Sequence, residues 1–138
     1  MILSEVAVVP GTDGRKMSKS YGNTIPLFST REEIQKAVMG IVTDSSGERP
    51  EHVYAIHKLL KSDAELEPLY EEHKGKYKAL KDALVDDLES FIKPMREKRA
   101  SLAEEPDTVI RVLKEGKAKA SEKADKKMTD IRLKVGVA

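Results

Sequence analysis

Thr30-Arg31-Glu32-Glu33-Ile34-Gln35-Lys36-Ala37-Val38-Met39-Gly40-Ile41 is the stretch that decides the fold. The Thr30 hydroxyl is spaced to meet the Glu33 amide, and the Glu33 carboxylate to return to Thr30, which is a capping box at a helix start. Ile34, Ala37, Val38 and Ile41 then fall at i, i+3, i+4 and i+7, one face of an α-helix. The same reading repeats downstream. Asp44-Ser45-Ser46-Gly47 and Pro50 end the first helix. Val53, Ile56, His57 and Leu60 carry a second, short one. Ser62-Asp63-Ala64-Glu65 is a further capping box, opening a third with Leu66, Leu69, Tyr70 and His73, closed at Gly75. A long fourth helix carries Tyr77, Leu80, Leu84, Leu88, Phe91, Ile92 and Met95, with Pro94 predicting a kink near residues 90 to 94. Pro106-Asp107 restarts the chain into a fifth helix, whose stripe is Ile110, Leu113, Ala120, Ala124, Met128 and Ile131. Lys117 to Lys127 reads as mostly solvated. The predicted core is Ile34, Val38, Ile41, Val53, Ile56, Leu60, Leu66, Leu69, Leu80, Leu84, Leu88, Phe91 and Leu113.

Upstream the pattern changes. Glu5-Val6-Ala7-Val8-Val9 is β-rich and stops at Pro10-Gly11. It reads as the last strand of a sheet whose other strands are missing. Gly11 to Gly22 is a loop holding Arg15, Lys16 and Lys19 among glycines and small polar residues. The expected fold is therefore mostly α: about five helices, preceded by one short strand and the loop.

The 138 residues are one domain's worth of chain. Net charge is +1, but it is unevenly spread. Residues 1–92 hold 12 basic against 16 acidic side chains, net −4, and residues 93–138 hold 13 against 8, net +5. That excludes a uniformly basic nucleic-acid coat. Cysteine is absent, which removes disulfides, thiolate metal sites and Cys nucleophiles. Aromatics are 4% with no Trp, too few for base-stacking platforms. The longest apolar run, Val6 to Val9, is far too short for a membrane span or a signal peptide, so a cytoplasmic location is expected.

The chemistry concentrates in Asp13-Gly14-Arg15-Lys16-Met17-Ser18-Lys19-Ser20-Tyr21-Gly22-Asn23. Lys16 and Lys19 are point charges three residues apart, with the hydroxyls of Ser18 and Ser20 between and after them. Gly14 and Gly22 let the backbone turn and approach a ligand. Such a loop suits a polyphosphate whose charge moves during reaction. For a generic pair of lysines at this spacing, a solvated basic loop would be the default. No metal-ligand constellation stands out: His52 and His57 are five apart, off the i, i+4 geometry of a helical metal pair. His57 and His73 read as core or boundary residues, and Asp86-Asp87 as a solvated face. Lys93, Arg96, Lys98 and Arg99 divide evenly between a solvated face and a contact with nucleic-acid phosphates.

The string Lys16-Met17-Ser18-Lys19-Ser20 resembles the signature loop of class I aminoacyl-tRNA synthetases, and its place after a strand and before helices fits. Ser18 to Leu27, Ala37 to Ser45, Phe91 to Lys98 and Val112 to Ala120 narrow the resemblance to the tryptophanyl members; the tyrosyl members fit the Thr43-Asp44-Ser45 turn less well. The resemblance implies residues 1–28 as the last strand and loop of an incomplete Rossmann-type nucleotide-binding domain. It implies residues 29–138 as a helical, C-terminal, tRNA-binding domain. Lys16 and Lys19 would be the catalytic residues, and Lys16, Met17, Ser18, Lys19 and Ser20 the ATP-binding ones, with Met17 anchoring the loop. ATP would be a substrate, with Mg2+ carried by the nucleotide rather than by this chain. tRNA(Trp) would be the partner, tryptophan would be held by the missing catalytic portion, and the full-length enzyme would be a homodimer. The family's His-x-Gly-His helix start is absent, so the chain alone is expected to be inactive. The alternatives are a free-standing, non-catalytic tRNA-binding module, a tyrosyl fragment, and a helical DNA-binding or interaction protein.

Overall fold

A computed structural model describes residues 8–43 and 49–137. The Thr30 capping box forms in both directions: the Glu33 amide donates to the Thr30 hydroxyl at 3.3 Å, and the Thr30 amide donates to the Glu33 carboxylate at 2.8 Å. From it runs α1, Arg31–Met39. Next come α2, Glu51–His57, and α3, Asp63–Glu72. The Glu65 carboxylate takes both the Ser62 amide, at 2.9 Å, and the Ser62 hydroxyl, at 2.6 Å, holding the start of α3. The longest elements are α4, Tyr77–Ala103, and α5, Pro106–Val135. Pro94 lies inside α4, which continues through it. Pro106 opens α5, where its missing amide hydrogen costs nothing. Among the described residues no strand forms, only an isolated antiparallel bridge between Pro10 and Lys16. Most of the expected strand, Glu5 to Ala7, and the turn from Asp44 to Gly47 lie outside the described residues.

The chain divides into two compact units, Met1–Glu97 and Lys98–Ala138. In the first, Ile34 and Val38 of α1, Val53 and Ile56 of α2, and Leu84, Val85, Leu88 and Ile92 of α4 share one cluster with Ile41 and with Ile25 from the loop exit. A second cluster joins Tyr54, Leu66, Tyr70 and Leu80. Leu60 and Leu69 are only half-buried.

Phe91 and Leu113 depart from the expected core. Phe91 is 54% exposed and Leu113 66% exposed. The buried row on α4 steps by four residues, Leu80, Leu84, Leu88, Ile92, and Phe91 sits about 100° round the helix from Ile92. The apolar residues of α5 are exposed along its length, so its stripe is amphipathic without being buried.

One buried charge closes α1. The Lys81 ammonium donates to the carbonyls of Met39 at 3.1 Å and Ile41 at 2.7 Å. A cation there meets the negative end of the helix dipole and two carbonyls left without helical partners. Burial pulls the Lys81 amine below the usual lysine range.

Candidate functional site

The loop opens as a tight hairpin. The Met17 amide donates to the Val9 carbonyl at 2.8 Å, and the Gly11 amide to the Arg15 carbonyl at 2.7 Å. Gly14 turns the tip with φ +76°, in the left-handed region that favours glycine. The ring of His52, on the first turn of α2, lies against it, and a Cβ at Gly14 would collide with that ring. Asp13 binds Arg15 through the guanidinium, 2.7 Å, and through the Arg15 amide, 3.1 Å. The Arg15 guanidinium also covers the Tyr21 ring, 4.7 Å from its centroid.

Asn23 ties the second half of the loop to this hairpin. It is 2% exposed. Its Oδ1 accepts the Ser18 amide at 2.8 Å, and its Nδ2 donates to the Lys16 carbonyl at 3.1 Å and to Asp13 Oδ1 at 2.7 Å. The hydrogen bond from Asn23, reinforced by Arg15, holds the Asp13 carboxyl down at about 2. Ser18 is extended, φ −154° and ψ 138°. A single 3-10 turn follows, Lys19–Tyr21, closed by Gly22 at φ +66°.

All five expected site residues therefore stand on one continuous segment tied down by Asn23. Lys16 and Lys19 are exposed, and among the described residues neither ammonium has an acidic partner. The Ser18 and Ser20 hydroxyls are 2.9 Å apart. Met17 is half-buried. Two exposed cations beside paired hydroxyls are chemically suited to a multiply charged anion.

Other expected residues have structural roles. His57 is fully buried; its Nε2 lies 2.7 Å from the Asp87 carboxylate and its Nδ1 3.2 Å from the Tyr70 hydroxyl. Burial pushes the imidazole below its ordinary value, so the neutral ring donates to Asp87 and accepts from Tyr70. The reading of Asp86-Asp87 as a solvated face holds for Asp86, which pairs with Arg31, and fails for Asp87, which is bound by both His57 and Lys61. In the basic cluster, Arg96 makes a two-pronged pair with Glu89, at 2.6 and 3.1 Å, and donates to the Ser29 carbonyl at 2.6 Å. It is thereby committed to the fold rather than to a phosphate. Among the described residues, no group of three or more His, Asp or Glu side chains is gathered for a metal ion. None of the described helices is long and apolar enough to cross a membrane.

The sequence reading gives Asn23 no role beyond membership of the loop, His52 none beyond a metal pair that its spacing rules out, and Lys81 none. A short carboxamide just after a loop glycine was the visible signal for Asn23. Nothing in the local spacing marks His52 or Lys81.

Residues 1–114 match the profile of the family described as tRNA synthetases class I (W and Y). The chain belongs to that family of class I aminoacyl-tRNA synthetases. Within it, the similarity is to tryptophan–tRNA ligases. The enzyme of Rhodopirellula baltica is 40% identical over 127 residues, covering 86% of this chain and 40% of that protein. That of Aquifex aeolicus is 38% identical over 143 residues, covering 95% of this chain and 36% of that protein. The crystal structure of tryptophanyl-tRNA synthetase from Campylobacter jejuni, complexed with ADP and tryptophan, superposes with a TM-score of 0.85 at 35% identity, over 99% of this chain and 46% of that one. The chain thus spans less than half the length of these relatives.

Proposed function

We propose that this chain supplies the phosphate-handling loop and the helical, tRNA-binding portion of a tryptophan–tRNA ligase, divided near residues 28 and 29. The observation that carries the reading is the pair of exposed ammoniums of Lys16 and Lys19, without an acidic partner among the described residues, flanking Met17 and Ser18 on a loop held by Asn23. The ADP and tryptophan bound in the Campylobacter jejuni structure support ATP and tryptophan as substrates.

In the reaction, the tryptophan carboxylate attacks the α-phosphorus of ATP. The bond to the β-phosphate breaks, and pyrophosphate leaves with the electron pair. Negative charge gathers on the departing oxygens, where Lys19 meets it as the loop closes. Lys16 holds the triphosphate in the ground state as well. Ser18 and Ser20 donate hydroxyl hydrogens to phosphate oxygens, and Met17 seats the loop. Mg2+ enters with the nucleotide. Lys16 and Lys19 are the catalytic residues, and Lys16, Met17, Ser18, Lys19 and Ser20 the nucleotide-binding ones. A terminal ribose hydroxyl of tRNA(Trp) then attacks the carbonyl carbon of the adenylate, forming the tryptophanyl ester as the acyl–phosphate bond breaks and AMP leaves, in a homodimer.

Tryptophan is held outside this chain, so the isolated chain is silent: adenylate formation needs both reactants positioned together. The test replaces the matching segment of the Campylobacter jejuni ligase with this chain and measures tryptophan-dependent ATP–pyrophosphate exchange and charging of tRNA(Trp). Activity in the chimaera, and none in the isolated chain, is expected. A chimaera that folds and binds tryptophan but does not exchange pyrophosphate overturns the proposal, as does exchange by the isolated chain.

A further inference from the structure

The Asn23 carboxamide brackets Met17. It accepts from the amide after Met17 (Ser18) and donates to the carbonyl before it (Lys16), the two backbone groups that flank Met17. A single side chain thus satisfies both of these backbone groups. The same Nδ2 reaches Asp13 across the hairpin, so the carboxamide is oriented by a carboxylate that Arg15 in turn fixes. Three bonds on a 2% exposed amide leave it little freedom to flip or swing away.

The consequence falls on Lys16 and Ser18. Side chains two residues apart on extended backbone share a face, and Met17 between them takes the other. Lys16 is exposed and Met17 half-buried; Ser18 is half-buried too, its hydroxyl 2.9 Å from that of Ser20.

We propose that Asn23 is a positioning residue for the phosphate-handling loop, holding Lys16 to Ser18 extended so that the ammonium of Lys16 and the hydroxyl of Ser18 are presented together. This rests on the reading that the loop grips the triphosphate. Asn23 does not touch the substrate; it acts through Lys16.

Two measurements test it. In the 138-residue chain, the Ser18 amide should exchange with deuterium at least about tenfold faster in Asn23→Ala than in the parent. In the chimaera described above, Asn23→Ala should lower kcat for pyrophosphate exchange by about ten- to a hundredfold, with KM for tryptophan unchanged. Lys16→Ala should then cost much less in the Asn23→Ala background than alone, because a misplaced lysine has little left to lose. Asn23→Asp keeps the acceptor but loses both donors and sets a second carboxylate against Asp13, so it should be no better than Asn23→Ala. Should Asn23→Ala fail to fold, Asn23→Ser takes its place in the same cycle. Unchanged Ser18 exchange, or losses from Lys16→Ala and Asn23→Ala that simply multiply, overturns the positioning role. Lys19→Ala separates the two ideas. If it leaves exchange intact, the loop reading falls; if it is damaging while Asn23→Ala is not, only the role of Asn23 falls.

Discussion

The buried imidazole of His57 on α2 bonds the carboxylate of Asp87 on α4 at 2.7 Å, across 30 residues of sequence. The ring's ordinary value is 6.5, and burial lowers it in the folded chain. Above 6.5 the imidazole is neutral both folded and unfolded. Below it, the unfolded chain takes up a proton that the folded chain refuses, so stability falls as the pH drops from 6.5 through the lower folded value. Asp87, whose carboxyl is held below 3.8, adds a loss of the same sign further into the acid range. Urea midpoints measured from about pH 8 to about pH 5 should decline in the parent chain and stay flatter in His57→Gln. Equal slopes would remove His57 as the group responsible.

Leu84 and Phe91 lie on one helix and should behave oppositely. Leu84 is fully buried, and Leu84→Ala should cost about 2–5 kcal/mol. Phe91 is 54% exposed, and Phe91→Ala should stay within about 0.5 kcal/mol. Denaturant unfolding of both variants decides whether the buried row on α4 is correctly placed.

Lys81→Met should loosen the end of α1. It removes two hydrogen bonds from a charged donor to the Met39 and Ile41 carbonyls. A loss of about 1–3 kcal/mol is expected, with faster amide exchange in the last turn of α1. Met keeps the apolar stem, so a neutral result would mean that the stem's packing is all that matters.

Gly14 and Gly22 both have positive φ, but only Gly14 is crowded. Gly22→Ala should cost about 1–2 kcal/mol of backbone strain. Gly14→Ala carries the same strain and must also displace His52, so it should be the more damaging of the two. Thermal unfolding compares them directly, and His52→Ala should narrow the gap.

Lys19→Ala in the chimaera should slow adenylate formation by about 3–4 kcal/mol, roughly a hundred- to a thousandfold, with ATP affinity nearly intact. Lys16→Ala should weaken ATP binding more. Pre-steady-state rates against ATP concentration make the distinction. An unchanged maximal rate with a raised ATP requirement would leave Lys19 as a binding residue only.

The sequence by itself determined the helices and the chemical character of the loop. Capping at Thr30, the apolar spacing from Ile34 to Ile41 and Pro106 at the start of α5 are local signals, acting within a turn or two. The string from Lys16 to Ser20 carries the family resemblance within five residues. Tertiary structure decided what lies far apart in the chain. Periodicity shows that a helix has an apolar side, but not how much of that side a neighbour covers; this is why Ile92 is buried, Phe91 is exposed, and the stripe on α5 stays open. The partnerships of His57 with Asp87, Lys81 with the end of α1, and Asn23 with Asp13 depend on how the chain returns on itself. Each polar side chain could have faced water. It is the removal of water around it in the packed chain that makes a specific partner necessary.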